Sequence, residues 1–230
     1  KIKSGAFTQL NKLKILKISD DVTEIENYAV NGNPALLAVF IGRQSAPTLN
    51  GTFSIAKGNN GNGALKIYVP NDKVVYYKSQ WPSLTSVILS QDIVDENGLC
   101  IEVLSIGYAV VRQYIGSGKN VVIPEKIAKD GTEYTVRKIE EYAFASNAAI
   151  ESITISASVE EIKAYAFAHN EYLKTVEFLG INSNLVIRTP FISTVSVLEN
   201  IYIPTGSTEF YSKALVPGNQ ALVTKLTERE

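Results

Sequence analysis

The chain has 230 residues, 45% of them hydrophobic and 20% charged, the composition of a soluble globular protein with room for one large or two ordinary domains. A formal net charge of −1 without a basic run gives no footing for electrostatic capture of nucleic acid or an anionic membrane. The single cysteine, Cys100, excludes an intrachain disulfide framework and a cysteine-rich zinc site, and its alternating neighbours predict a half-buried strand thiol.

No apolar run approaches the roughly 20 residues of a membrane helix, and no signal peptide is visible. The chain holds no methionine and enters in mid-phrase at Lys1. The expectation is a processed or trimmed fragment, with upstream sequence that once covered the first coil.

From the front, apolar residues recur at an offset of 23: Ile2/Ile25, Ala6/Ala29, Leu13/Leu36, Leu16/Val39 and Ile18/Ile41. The spacing predicts short strands over 13–18 and 36–41. "KGNNGNG" at 57–63 is expected to bulge as a loop. "IYVPNDKVVYYKS" from Ile67 places proline straight after a strand, then Tyr76 and Tyr77, and predicts a terminal cap. Residues 91–98, polar and turn-rich, are expected to link two halves. "LCIEVLSIGYAVVRQYIGSG" then predicts a hairpin between Gly98 and Gly118. "VVIPEKIAKDGTEYTV" supplies a first full coil turning at Asp130-Gly131.

The period returns in "RKIEEYAFASNAAIESITI" and "EEIKAYAFAHNEYLKTVEF", where Ile139/Ile162, Phe144/Phe167, Ile150/Leu173 and Ile153/Val176 again pair at 23. Strands are predicted over 150–155 and 173–178. Asn147 and Asn170 are expected to hydrogen-bond turn backbone. "IYIPTGSTEFYSKA" closes the series on the same proline-then-aromatics phrase, with Phe210 and Tyr211.

A fixed period between about 20 and 29 residues with L-x-x-L-x-L spacing is the mark of a leucine-rich solenoid. One coil cannot bury its apolar ladder alone, so the inward positions hold their type while the others drift. The predicted fold is an α/β solenoid. It comprises two short arrays, 1–90 (truncated at its start) and 99–230, with parallel strands on the concave side and short helical or 3₁₀ pieces opposite.

These residues resemble the BspA-type leucine-rich repeats of bacterial surface proteins, with the hallmark I-x-x-x-A-F-x-x-C/N-x-x-L-x-x-I-x-I-P. "VVIP", "IEEYAFASNAAIESITI" and "IKAYAFAHNEYLKTVEF" carry the likeness, which covers nearly the whole chain. Val30 departs from it where phenylalanine is usual, and asparagine stands where many members have cysteine. The resemblance implies a secreted or surface-anchored protein engaged in adhesion and protein binding rather than catalysis.

Candidate chemistry is thin. His169, the one histidine, occupies the slot of Ser146 a coil earlier and of Gly32 at the front, which suits a turn residue. A hydrolase would have to be built around it. Adjacent acids at Asp20-Asp21, Glu140-Glu141 and Glu160-Glu161 point apart and are expected as solvated faces. Asp92, Asp95 and Glu96 lack calcium-loop spacing. "IGSGKN" holds a Gly-x-Gly-Lys string but suits a hairpin end, and Asn50 heads a formal glycosylation sequon. No catalytic residue, cofactor or metal is expected.

Binding is predicted on the strand faces, where residues between ladder positions project outward. One column runs Lys17, Phe40 and Tyr68 in front and Val122, Thr154, Glu177 and Tyr202 behind. Its neighbour runs Ile15, Ala38 and Lys66, then Asn120, Ser152, Thr175 and Asn200. Either these are sheet formers chosen for β-propensity, or Phe40, Tyr68 and Ile15 form an exposed contact patch for a ligand, the other array or a second copy. Three functions remain open. The first is a surface-binding module for a protein or glycan, of host origin among the options; the others are an architectural spacer and a hydrolase.

Overall fold

The computed structural model describes residues 1–51, 65–91, 93–104, 106–191, 194, 196–215 and 220–230. The loop expected at 57–63 and the acid Asp92 lie outside them. The chain divides into two compact units, Lys1–Asp92 and Ile93–Glu230.

The first unit is built on a parallel sheet of β1 (Ile15–Ile18), β3 (Ala38–Ile41), β5 (Lys66–Val69) and β6 (Ile88–Ser90), in that order. A second limb pairs β2 (Glu24–Glu26) with β4 (Thr48–Asn50). The register follows the period: Leu16 lies beside Val39, and Val39 beside Ile67. These three join Ile25, Ile41 and Ile88 in one core.

The second unit opens with the expected hairpin. β7 (Ile93–Val94), within the stretch expected as a linker, pairs antiparallel with β8 (Leu99–Val103), which pairs antiparallel with β9 (Tyr108–Tyr114). After β10 (Asn120–Ile123), β11 (Lys126–Lys129) and β12 (Thr132–Ile139) form another hairpin. Its turn is Asp130-Gly131, at φ 51° and 77°, the left-handed pair that a two-residue hairpin loop requires.

Coils then follow one another as β13 (Ser152–Ile155), β14 (Glu161–Ile162), β15 (Thr175–Phe178), β16 (Val186–Ile187), β17 (Asn200–Pro204) and β18 (Leu226–Arg229). One sheet runs β10-β13-β15-β17-β18. The other runs β16-β14-β12-β9-β8-β7. In β13 and β15 every second residue is buried, which is why "SITI" and "TVEF" alternate.

Two expectations change here. The limb opposite β13 and β15 carries a second sheet and turns, not helical pieces. Tyr142 and Ser146 sit at φ 60° and 57°, as Tyr165 and His169 do at 60° and 56°. A left-handed residue every fourth position interrupts any helical run. Among the described residues, α-helices occur only after β5, as α1 (Val74–Gln80), and after β17, as α2 (Thr208–Leu215) and α3 (Gln220–Val223). Cys100 is fully buried rather than half-buried, because Leu99, Cys100 and Ile101 are covered on both strand faces.

The core of the second unit has an aromatic spine. Tyr114, Phe144, Phe167 and Phe191 follow one another at centroid spacings of 5.8, 5.6 and 5.1 Å, each ring from a different coil or hairpin. Each such ring removes about 1.5–3 kcal/mol worth of apolar surface from water. Beside them, fully buried polar side chains reach back one coil. Asn170 Oδ1 accepts from the Asn147 amide at 2.9 Å, and Thr194 Oγ1 from the Asn170 amide at 3.2 Å. In the first unit Asn33 Oδ1 accepts from the Leu10 amide at 2.8 Å. Asn147 and Asn170 thus bond turn backbone as expected, in the preceding coil and also in their own, where Asn147 Oδ1 accepts the Ala149 amide and Asn170 Nδ2 donates to the Phe167 carbonyl, both at 2.9 Å.

The aromatic phrase after each closing proline does not end the sheet as a terminal cap was expected to: one more parallel strand follows the helix, β6 in the first unit and β18 in the second. Tyr77 and Tyr211 are wholly buried while Tyr76 faces solvent.

Candidate binding surface

The register brings the predicted columns together. Lys17, Phe40 and Tyr68 are direct neighbours, as are Ile15, Ala38 and Lys66. In the second unit Val122, Thr154, Glu177 and Tyr202 align, and Asn120, Ser152, Thr175 and Asn200 form the adjacent row.

The two units differ in what these columns present. Phe40 and Tyr68 stack with centroids 4.9 Å apart and planes 15° from parallel. They are only 5% and 2% exposed, so the patch expected at the surface is buried. All four residues of β3 are buried. "LLAVFI" is a continuous apolar run, the pattern of a strand covered on both faces, and that signal was present in the sequence. Lys17 is exposed and Ile15 half-buried.

In the second unit the outward row stays accessible. Val122 is exposed, and Thr154, Glu177 and Tyr202 are half-buried. Ser152 Oγ donates to Asn120 Oδ1 at 2.7 Å, and Thr227 Oγ1 to Asn200 Oδ1 at 3.3 Å, so the neighbouring polar row is laced across strands. At its far end a cleft of about 120 Å³ opens between Glu177, Leu179, Tyr202, Pro204, Arg229 and Glu230. The Arg229 guanidinium lies 4.8 Å from the Tyr202 ring centroid, and its Nη1 lies 3.6 Å from Glu177 Oε1. Arg229 was not singled out from sequence, because it stands on β18, beyond the last quoted repeat.

The remaining candidates resolve into structure. His169 is exposed on the left-handed turn that its slot imposes, with Gly32 at φ 67° and Ser146 at 57° as its counterparts. Asp95 Oδ1 accepts the Asn97 and Leu99 amides at 3.0 and 2.7 Å and so caps a turn. "IGSGKN" leaves the open end of the hairpin, where the Gly118 amide donates to the Tyr114 hydroxyl at 2.9 Å. Asn50, on β4, donates through its amide to Glu24.

Glu140 and Glu161 are not simply solvated. Glu140 pairs with Arg112 at 3.2 Å and Lys163 at 2.8 Å. Glu161 accepts from Arg188 at 2.8 Å and faces Lys138 at 3.3 Å. The Arg188 hydrogen bond and then Lys138 hold the Glu161 carboxyl below its usual range. Glu160 pairs with Arg137 at 3.5 Å. Asp20, Asp21 and Glu141 are exposed. No helix among the described residues is long and apolar enough to cross a membrane.

A comparison with curated proteins finds no match. Among solved structures, a leucine-rich repeat protein from Bacteroides capillosus is 25% identical over 50% of this chain and 83% of its own, with a TM-score of 0.41. A leucine-rich cell surface protein from Faecalibacterium prausnitzii is 17% identical over 99% of this chain and 62% of its own, with a TM-score of 0.40. The pneumococcal vaccine antigen PcpA is 19% identical over 49% of this chain and 40% of its own, at 0.27. This chain therefore spans less than two thirds of the last two. The model of the BspA type leucine-rich repeat region matches six copies over residues 1–59 and 119–217. That match covers well over half of the residues and falls on the coils whose register is described above: the chain belongs to the BspA type leucine-rich repeat family.

Proposed function

We propose that the chain is an extracellular or cell-surface binding module without catalysis, and that a protein or glycan ligand docks on the outward strand face of its second unit. The single observation that carries this reading is the contrast between the two columns. Phe40 and Tyr68 are buried, whereas Val122, Thr154, Glu177 and Tyr202 remain accessible in register and lead into a cleft. Concave strand faces are where repeat arrays of this kind offer extended binding surface.

A row mixing a methyl face, a hydroxyl, a carboxylate and a tyrosine offers both contact area and hydrogen bonds, the composition of a recognition patch. The family resemblance supports the surface location and the preference for binding over chemistry. Nothing in the charge balance favours nucleic acid.

The test is a binding screen of the intact chain against host matrix proteins and glycans, repeated with Thr154→Ala and Tyr202→Ala. A captured partner should weaken with the variants while the melting temperature holds. A partner whose affinity ignores both substitutions, or a screen without any partner, sinks the reading.

A further inference from the structure

The geometry points to a cation-recognition subsite made by the Tyr202 ring and the Glu177 carboxylate, which takes an arginine side chain of a partner peptide and is occupied at rest by the chain's own Arg229. The inference rests on the binding reading above and narrows it to one ligand chemistry.

Three observations carry it. First, an internal guanidinium already sits there, 4.8 Å from the Tyr202 centroid, a geometry in which the ring's negative face attracts a cation. Second, the seat is loose. Arg229 Nη1 and Glu177 Oε1 are 3.6 Å apart, beyond hydrogen-bond range, and the Arg229 side chain is 60% exposed. A partner guanidinium free to approach could meet the carboxylate more closely and bidentately. Third, the cleft lining holds Glu177 and Glu230 against the single Arg229, so its balance is acidic. That sign favours a cation over an anion.

Comparison of the two units isolates the feature. Tyr68 stands where Tyr202 does in the repeat, but its neighbour in the register is Phe40 and the pair is a closed aromatic stack. Only in the second unit does a carboxylate replace that aromatic neighbour. Within the same row Thr154 and Val122 carry no charge, so Glu177 is the acid that the row supplies.

The probes are three capped tripeptides, acetyl-Gly-Arg-Gly-amide and its glutamate and glycine counterparts, titrated into the full chain by NMR. The arginine peptide should shift the amide signals around Glu177 and Tyr202, and the other two should not. Arg229→Gln, which keeps the side-chain stem, should tighten arginine-peptide binding about threefold by emptying the seat, and Glu177→Gln in that background should weaken it about threefold, the size of an exposed cation–π or ion-pair contact. Binding of the glutamate peptide that Arg229→Gln abolishes would make Arg229 an anion receptor and overturn the inference. So would an Arg229→Gln chain, folded by its amide spectrum, that ignores the arginine peptide. A chain that captures a screened partner through Tyr202 yet fails these titrations refutes the cation subsite and leaves the binding module standing.

Discussion

Tyr77 and Tyr211 occupy the same place in the two units and do the same work. The Tyr77 hydroxyl donates to the Arg43 carbonyl at 2.7 Å, and the Tyr211 hydroxyl to the Gly180 carbonyl at 2.6 Å. Each ring packs beneath the closing helix, Tyr77 edge-on to Trp81 and Tyr211 against Phe178 at 4.7 Å. Proline ends the strand, the helix turns over it, and the second aromatic fastens the helix to an earlier coil.

Replacing either tyrosine with phenylalanine keeps the ring and removes the donor to a half-buried carbonyl. Tyr211→Phe should cost about 0.5–1.5 kcal/mol, the net contribution of one hydrogen bond, measured by urea unfolding. Alkaline pH gives a second readout. Burial pushes the Tyr77 hydroxyl up to about 12, and it raises Tyr211 as well. A folded value above the unfolded one means the contribution is complete below pH 10 and is lost as pH climbs through about 12. Tyr77→Phe should therefore flatten the alkaline fall in stability.

Asn147 and Asn170 are a stronger case, because each serves two coils. Asn170→Ala removes the acceptor of the Asn147 amide and the donor to the Phe167 carbonyl at 2.9 Å. The Phe167 carbonyl keeps the Thr194 hydroxyl at 2.7 Å, so the Asn147 amide alone is stranded, and the expected loss is about 1–3 kcal/mol by urea unfolding. A loss under 1 kcal/mol would show that the ladder does not hold the coils.

The left-handed slot gives opposite expectations at two positions. His169→Gly relieves about 1 kcal/mol of strain at φ 56° and gives up a similar amount to unfolded-chain entropy, so the melting temperature should barely move. Gly32→Ala imposes that strain at φ 67°, with the methyl in ordinary contact with Gln9 rather than in a clash, and should cost about 1 kcal/mol.

Acid affects the first coil through Glu26, whose carboxyl is held down to about 2, first by Lys1 and then by the Ser4 amide. A depressed value means this contribution is complete above pH 4.5 and lost as pH falls through about 2. Glu26→Gln should make the acid limb shallower over that window. Because the group is exposed, added salt should erase most of the difference.

Much of the strand pairing could be read from the sequence. A shared period places Ile153 beside Val176 and Glu177 beside Tyr202, because coils that bury a ladder together must align it. The opposite limb is hidden in the sequence because its left-handed positions are filled by tyrosine, serine and histidine, residues that do not announce such a backbone as glycine would. The burial of Phe40 and Tyr68 was legible in "LLAVFI" but was outweighed by the alternation in the other coils. The pairing of Glu140 was also there to be found, since Lys163 stands one period later with the opposite charge. Arg229 lay outside the repeat, and only the added strand brought it to Tyr202.

The side-chain oxygens of Asn33, Asn170 and Thr194 each accept a backbone amide of the coil before, across separations of 23 or 24 residues. A duplication or loss of one whole unit therefore hands every amide a fresh partner of the same kind. An insertion of any other length leaves one amide stranded in the dry interior. Descent by whole-unit copying is thereby tolerated, while small indels inside a coil are selected against by the same hydrogen bonds.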